Sequence, residues 1–352
     1  VGLRWQDWPE GLASRLRAGC VIPAHPLALN PKREMDAQRQ KALSRYYLEA
    51  GSGGLAVGVH TTQFQIRDRG LYEPVLRIAA EAAAERAEAP ILVAGAIGKT
   101  AQAVKEAQVA RSLGYHAVLL SLAAWKGASE DEIVAHCEAV AAEMPLFGFY
   151  LQPAVGGVRL PASFWKRFAS IPNVVAIKIA PFNRYATLDV LRGVLEAGAQ
   201  DRVTLYTGND DHIVADLLTP FRLAHDGRSV TMRIAGGLLG HWSVWTRAAV
   251  QLQARCAEAA RENRVPTDLL ALDAAVTEMN AAVFDVANDF HGVIAGCHEV
   301  LRRQGLLEGT WCLDEHETLS PGQAELLTAV AERYPLLTDD GFVAANLHRW
   351  LS

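Results

Sequence analysis

In the stretch NVVAIKIAP, Asn173–Pro181, a single lysine, Lys178, stands in a run otherwise suited to a buried strand. Taking an ammonium group out of water costs several kcal/mol unless it is paired or neutralised, and no acid lies beside it in the sequence. Burial lowers a lysine's pKa, and the neutral amine so favoured attacks carbonyl carbon. A lysine placed this way suits Schiff-base chemistry. Such chemistry must also move protons onto and off an oxygen beside the new C–N bond. Tyr150 in MPLFGFYLQP and the pair Thr61 and Thr62 in GLAVGVHTT supply hydroxyls at the ends of two other apolar runs. Alternation puts Gly148 and Tyr150 on one face, Phe147 and Phe149 on the other, and aligns Ala56, Gly58, His60 and Thr62. The same rule gives Val174, Ala176 and Lys178 one face, opposite Val175, Ile177 and Ile179. The smaller face is expected to point inward.

The elements that must position these residues are legible as alternating units. Runs of Val, Ile and Leu beginning near Cys20, Gly54, Ile91, His116, Leu146, Asn173, Val203 and Ser229 lie roughly thirty residues apart. Between them come stretches of helical period. DAQRQKALSRYYLEAG ends on Gly51, TAQAVKEAQVARSLG ends on Gly114, and SEDEIVAHCEAVAAE opens on a serine cap. Eight β-α units predict an α/β fold, a (β/α)8 barrel, with Lys178 at the C-terminal end of strand six, the end where barrel sites are built. The chain divides into an N-terminal segment over 1–19, the barrel over 20–240, and a C-terminal helical region over 241–352 that completes and extends it. Arg233 in VTMRIAGG is then expected near the end of strand eight, as a candidate for an anionic substrate group or for a surface salt bridge.

With these residues placed, the chain resembles the dihydrodipicolinate synthase / N-acetylneuraminate lyase family of class I aldolases. The resemblance runs from about Val21 to about Leu337 and rests on VVAIKIA, FYLQP, GLAVGVHTT and AGAIGKTAQAV. It implies an imine on Lys178, a proton relay through Tyr150 and Thr62, and a 2-oxo-acid carboxylate held by Thr61 and Thr62. YTGNDDH resembles the lyases' Gly-x-Asp-Glu, with Gly208, Asp210 and Asp211 in place. Those carboxylates suit substrate hydroxyls, or else cap the following helix. Where the family has a Thr-Thr-Gly-Glu, this chain reads Thr61-Thr62-Gln63-Phe64. Its Pro-Tyr-Tyr is Ala123-Ala124-Trp125, and the position of a carboxylate-clamping arginine falls on Val155. Trp125 and Phe64 thus bring aromatic surface to a substrate or to a neighbouring subunit. His60 beside the threonines is a polar lining residue or a satisfied rim histidine.

The resemblance implies a lyase or aldolase acting on pyruvate or another 2-oxo acid with an aldehyde partner, distinct from dihydrodipicolinate synthase itself. A 2-keto-3-deoxy sugar acid dehydratase or hydratase-aldolase would use the same imine, and a barrel that binds such acids without turnover is the alternative from another class. It implies a homo-oligomer, dimer or tetramer, and no cofactor. With 352 residues, half of them hydrophobic, and a net charge of −5, the chain lacks a basic footprint for nucleic acid or membrane surface. Five scattered cysteines read as reduced thiols in a cytoplasmic protein. No run suits a membrane span, the N-terminal stretch is too polar for a signal peptide, and no histidine pair has metal-ligand spacing. VAGAIGKT follows a strand and opens a helix, but Val93 stands where a phosphate-binding loop needs glycine.

Overall fold

Short β-branched and aliphatic runs form the strands β1 (Val21–Pro23), β2 (Gly54–Val57), β3 (Ile91–Ala96), β4 (Ala117–Leu120), β5 (Leu146–Leu151), β6 (Val174–Ala180), β7 (Thr204–Thr207), β8 (Phe221–His225), β9 (Arg228–Met232) and β10 (Ile234–Leu239). The structure, a computed structural model, describes residues 2–352. Val1, the first residue of the expected N-terminal segment, lies outside the described residues. Eight strands pair in parallel in the order β1-β10-β7-β6-β5-β4-β3-β2, and a parallel bridge between Ala24 and Ala56 joins the two ends. The sheet is therefore a (β/α)8 barrel. The helix Thr246–Arg261 follows the last barrel strand, and four further helices, Thr267–Val283, Val293–Arg303, Gln323–Arg333 and Asp340–Trp350, extend it. No described helix is long and apolar enough to cross a membrane.

Both faces of each barrel strand are buried. Inward side chains such as Ile22, Val93, Leu119, Phe147, Ala176 and Leu238 form an inner core, and outward ones such as Leu55, Val118, Leu146, Ile177 and Leu205 meet the helices. The helix Leu12–Ala18 plugs the N-terminal mouth with Leu12 and Leu16 beside Trp8, and Tyr206 donates from its hydroxyl to the Leu16 carbonyl at 2.8 Å. That end is closed, which leaves the C-terminal mouth for chemistry.

Three sequence expectations change here. The run from Ser229 is the second arm of an antiparallel hairpin, β8 and β9, turning at Asp226-Gly227, whose φ values are 48° and 72°. Two positive-φ residues suit Asp-Gly and match the twist of a tight hairpin. The eighth barrel strand is β10 instead, where small residues are required: a Cβ on Gly237 would meet the Trp242 ring at 2.5 Å. Arg233 consequently sits just before β10, at the closed end of the barrel. Its guanidinium donates to the Leu218 carbonyl and the Asn263 side chain, away from any substrate.

The second change is in β5. Phe147 and Phe149 face the interior while Tyr150 faces the helices, the reverse of the expected phase. Gly148 clears space outside the barrel, since a Cβ there would lie 2.6 Å from the Phe168 ring. The barrel accommodates the inward rings, with Phe147 edge-on to Tyr206 at 5.3 Å. The third change is at the start of β6. The register steps from Leu146 opposite Val174 to Phe147 opposite Ala176, so Val175 joins the inner core and Val174 the outer, while Lys178 keeps the inward phase of Ala176 and Ala180.

Candidate active site

Lys178 lies in the C-terminal half of β6, in register with Phe149 on β5 and Tyr206 on β7. Its Nζ stands 4.6 Å from the centre of the Phe149 ring, an arrangement that partly offsets the loss of water around the cation. Gly208 supplies the space beside it: a Cβ there would fall 2.5 Å from Lys178 Cε and 2.8 Å from Ala180 Cβ. Among the described residues Lys178 has no ion-pair partner. Burial drives it below the ordinary lysine range, and the nearby charge of Asp210 only opposes that drop.

Asp210, just past β7, is buried and accepts the His241 N–H on Oδ1 at 3.0 Å. Burial raises its carboxyl above the usual range, against the lowering influence of Lys178 and of that hydrogen bond. Two groups whose charged forms burial disfavours thus face one cavity. Their loops are braced by a buried network. Asp216 accepts from the Thr207 hydroxyl at 2.7 Å and the Asn209 amide at 3.0 Å, and pairs with Arg184. Asn209 in turn accepts the backbone N–H of Phe182 at 3.0 Å. This bond holds Phe182 at a φ of 49°, a conformation that costs a phenylalanine energy and therefore needs such support.

The cavity around Lys178 measures about 80 Å³ and is lined chiefly by apolar groups, among them Leu119, Phe149, Leu151, Val155, Phe182 and Ala180. At roughly 10–15 Å³ per water-sized sphere it holds on the order of five to eight of them. That suits a molecule of the size of a small 2-oxo acid. Thr61, Gly208 and Asp210 line it with Lys178, as does His60, whose ring packs on Phe64 at 5.7 Å. Thr61 borders the cavity, and its hydroxyl has no partner among the described residues.

The other expected site residues lie elsewhere. The Thr62 hydroxyl is fully buried, donates to the His25 carbonyl at 2.7 Å and accepts the Gly58 N–H at 2.9 Å, so it closes the turn that presents Thr61. Tyr150 accepts the Leu160 N–H at 3.2 Å and lies 5.3 Å from the Trp165 ring on the helix side. Asp211 is exposed, and its carbonyl accepts the Thr277 hydroxyl. Trp125 is half-buried between His136, 4.5 Å away, and Lys99, whose Nζ lies 4.0 Å above the indole. Phe64 stays outside the cavity as well. For Thr62, Tyr150 and Trp125 a local packing or hydrogen-bonding partner claims the side chain, while the Asp211 side chain is exposed.

Sequence reasoning passed over Phe149, although it is the cross-strand neighbour of Lys178. It also passed over Gln152, Phe182, Phe284, Phe290 and Cys297, which line the same cavity. Phe284, Phe290 and Cys297 come from the C-terminal helical region, which forms the roof. Phe290, at a φ of 65°, meets Phe182 edge to face at 6.3 Å. The loop bearing Phe290 is anchored by Asp285, whose carboxylate accepts from Gly292 N–H, the Asn288 amide and the Ser320 hydroxyl. Nothing local in the sequence marks these contacts. Among the described residues no cluster of His, Cys, Asp or Glu is arranged to hold a metal ion.

A closed parallel barrel with a desolvated lysine at the open end of its sixth strand defines a (β/α)8 protein with a lysine-centred site. The chain belongs to the dihydrodipicolinate synthetase family, whose model matches residues 18–259. It is 27% identical over 187 residues to a 4-hydroxy-tetrahydrodipicolinate synthase of Nitratidesulfovibrio vulgaris, covering 53% of this chain and 61% of that protein. It is 23% identical over 320 residues to N-acetylneuraminate lyase 2 of Escherichia coli, covering 89% of this chain and 93% of that one. The chain spans about three fifths of the length of the curated synthases it matches. In fold it is similar to a dihydrodipicolinate synthase from Acinetobacter baumannii solved with pyruvate. The TM-score is 0.73 at 19% identity, and the match covers 91% of this chain and 99% of the other.

Proposed function

We propose that the protein is a class I aldolase-type lyase that binds pyruvate or a similar 2-oxo acid as an imine on Lys178. The observation that carries the reading is the desolvated Lys178 amine facing a cavity of 2-oxo-acid size, with Asp210 as a buried acid beside it. The relatives' names and the pyruvate-bound structure support the same class. Neutral Nζ attacks the C2 carbonyl and forms the C–N bond of a carbinolamine. Protonation of its hydroxyl by Asp210 releases water and leaves the iminium. The Asp210 carboxylate then takes a proton from C3, giving the enamine that adds to an aldehyde, and the reverse sequence cleaves the bond. In this scheme Asp210, not Tyr150, transfers the protons, and Thr61 offers its hydroxyl to the carboxylate.

Val155 on the cavity wall supports an acceptor other than aspartate semialdehyde, because an isopropyl group at that position offers a carboxylate no charge-assisted pair. Assembly into dimers or tetramers, carried over from the family resemblance, belongs to the same reading and is tested by light scattering.

The test is covalent trapping. Incubation with pyruvate followed by borohydride should add one reduced pyruvyl group, mapped by peptide mass to Lys178, and Lys178→Ala should remain unlabelled. Labelling at another lysine, or none across a panel of 2-oxo acids, refutes the proposal.

A further inference from the structure

The scheme above employs Lys178 and Asp210 and leaves His60 idle, although His60 lines the same cavity and is exposed at its mouth. The strand order places it opposite the lysine. From β6, which carries Lys178, β2 is reached through β5, β4 and β3 or through β7, β10 and β1, so His60, just past β2, stands across the barrel from Nζ. A carbon chain tied to Nζ extends from the β6 wall towards it. The segment is held in place. The Gln63 N–H donates to the His60 carbonyl at 2.9 Å, and the Phe64 ring packs on the imidazole at 5.7 Å. Arg67 lies 5.6 Å from the centre of Phe64 and is itself fixed by bonds of 2.8 and 3.0 Å to Glu106 and by donation to the Gly58 and Gly95 carbonyls. The imidazole nitrogens, by contrast, have no hydrogen-bond partner among the described residues. His60 is therefore a positioned ring with free nitrogens, not a satisfied rim histidine.

Asp210 is poorly placed to serve the whole substrate. It lies just past β7, the strand beside Lys178, and one of its two oxygens already accepts the His241 N–H. That suits the oxygen on C2 and the protons of C3, whereas C4 lies a bond further from the imine. Thr61 and Gln152, also on the cavity wall, do not titrate near neutral pH, and burial pushes the Cys297 thiol up to about 12. Partial loss of water, and after it the charge of Lys178, lower the His60 pKa, so its ring is neutral and ready to accept a proton.

We infer that His60 is a second catalytic acid-base, serving the oxygen on C4 of a 4-hydroxy-2-oxo acid. The inference rests on the imine reading of Lys178. In cleavage a His60 ring nitrogen takes the C4 hydroxyl proton, the O–H electron pair closes the carbonyl of the departing aldehyde, and the C3–C4 pair becomes the enamine double bond as the iminium is neutralised. Asp210, recharged with a proton from water after imine formation, protonates C3, and water hydrolyses the iminium to release the 2-oxo acid. His60 returns its proton to water at the mouth. One proton enters from water and one leaves, so atoms and charges balance without an oxidant or cofactor, and condensation runs the same path in reverse.

The experiment compares wild type with His60→Gln in the full chain. It reads borohydride trapping of pyruvate, exchange of the pyruvate methyl protons for deuterium by NMR, and release of pyruvate from 4-hydroxy-2-oxopentanoate and 4-hydroxy-2-oxo-4-phenylbutanoate. Trapping reports on Lys178, exchange on Asp210 at C3, and release needs the C4 proton as well. His60→Gln should keep trapping and exchange within about threefold, which also shows that it folds, while kcat for release falls by about 10² to 10⁴ with KM little changed. A residue that merely braced the loop would lower all of these rates together. That result overturns the assignment, as does release by His60→Gln at the wild-type rate, or a wild type that exchanges pyruvate protons yet cleaves neither probe. Failed trapping in the wild type sinks the imine reading beneath it, so the two levels are told apart.

Discussion

Replacing Gly208 by alanine adds one methyl group where the structure leaves room for the lysine side chain. The new Cβ would stand 2.5 Å from Lys178 Cε, 2.9 Å from its Cγ and 2.8 Å from Ala180 Cβ. Carbon atoms rest at about 3.5–4.0 Å, so the shortest contact must open by about 1 Å. The backbone at Gly208 is outside the left-handed region, and strain there does not enter. Lys178 has four side-chain torsions and a cavity ahead of it, so it yields first, and Ala180 yields less. The cost to stability should fall at or below the overpacking range of about 1–3 kcal/mol. Function should suffer more, because moving a reacting atom by about 1 Å lowers turnover roughly 10²-fold. The assay pairs thermal unfolding with kcat and with the rate of borohydride trapping by pyruvate. A variant with near-normal Tm and both rates down about a hundredfold fits the geometry. Rates within about threefold of wild type would show that Gly208 does not place the amine.

Asp210→Asn keeps an oxygen for the His241 N–H but removes the acid, so the fold should persist while kcat drops by about 10² to 10⁴. The rate of imine formation in the wild type should rise with pH through an inflection below the ordinary lysine range, since burial favours the neutral amine of Lys178; an inflection at or above pH 10 would contradict the desolvation argument. A folded-state pKa below the unfolded value means that the native state binds fewer protons between the two. Lys178 therefore destabilises the fold most at pH below its folded pKa, and the penalty fades as pH rises toward the unfolded value. Lys178→Met should accordingly raise Tm more at pH 6 than at pH 10, read by calorimetry. Tyr150→Phe should leave pyruvate trapping unchanged and cost about 1 kcal/mol by removing the oxygen that accepts from Leu160, measured by urea unfolding; a hundredfold loss of trapping would return the phenol to the chemistry.

That Lys178, Gly208 and Asp210 share one cavity was foreshadowed in the sequence, Lys178 by a charge inside an apolar run, and Gly208 and Asp210 by the resemblance of YTGNDDH to a family motif. The barrel was legible for a related reason, since the β-α period repeats along the whole chain. The face of Tyr150 was not. A barrel strand is buried on both sides, so alternation says which residues share a face but not which face is inside. In β5 that choice fell to Phe168 pressing on Gly148 from the helix layer. The hairpin β8 and β9 displaced the eighth strand and carried Arg233 to the closed end, a matter of two β-type runs competing for one place in the sheet. The roof of the site was out of reach altogether. Phe284, Phe290 and Cys297 join Lys178 across more than a hundred residues of chain, through the packing of the C-terminal helices and the anchoring of one loop by Asp285. The sequence by itself marked the candidates for the proposed chemistry, because a charge within an apolar run and the strand period are local properties. The tertiary structure alone decided what surrounds them, because contacts between distant elements leave no periodic trace.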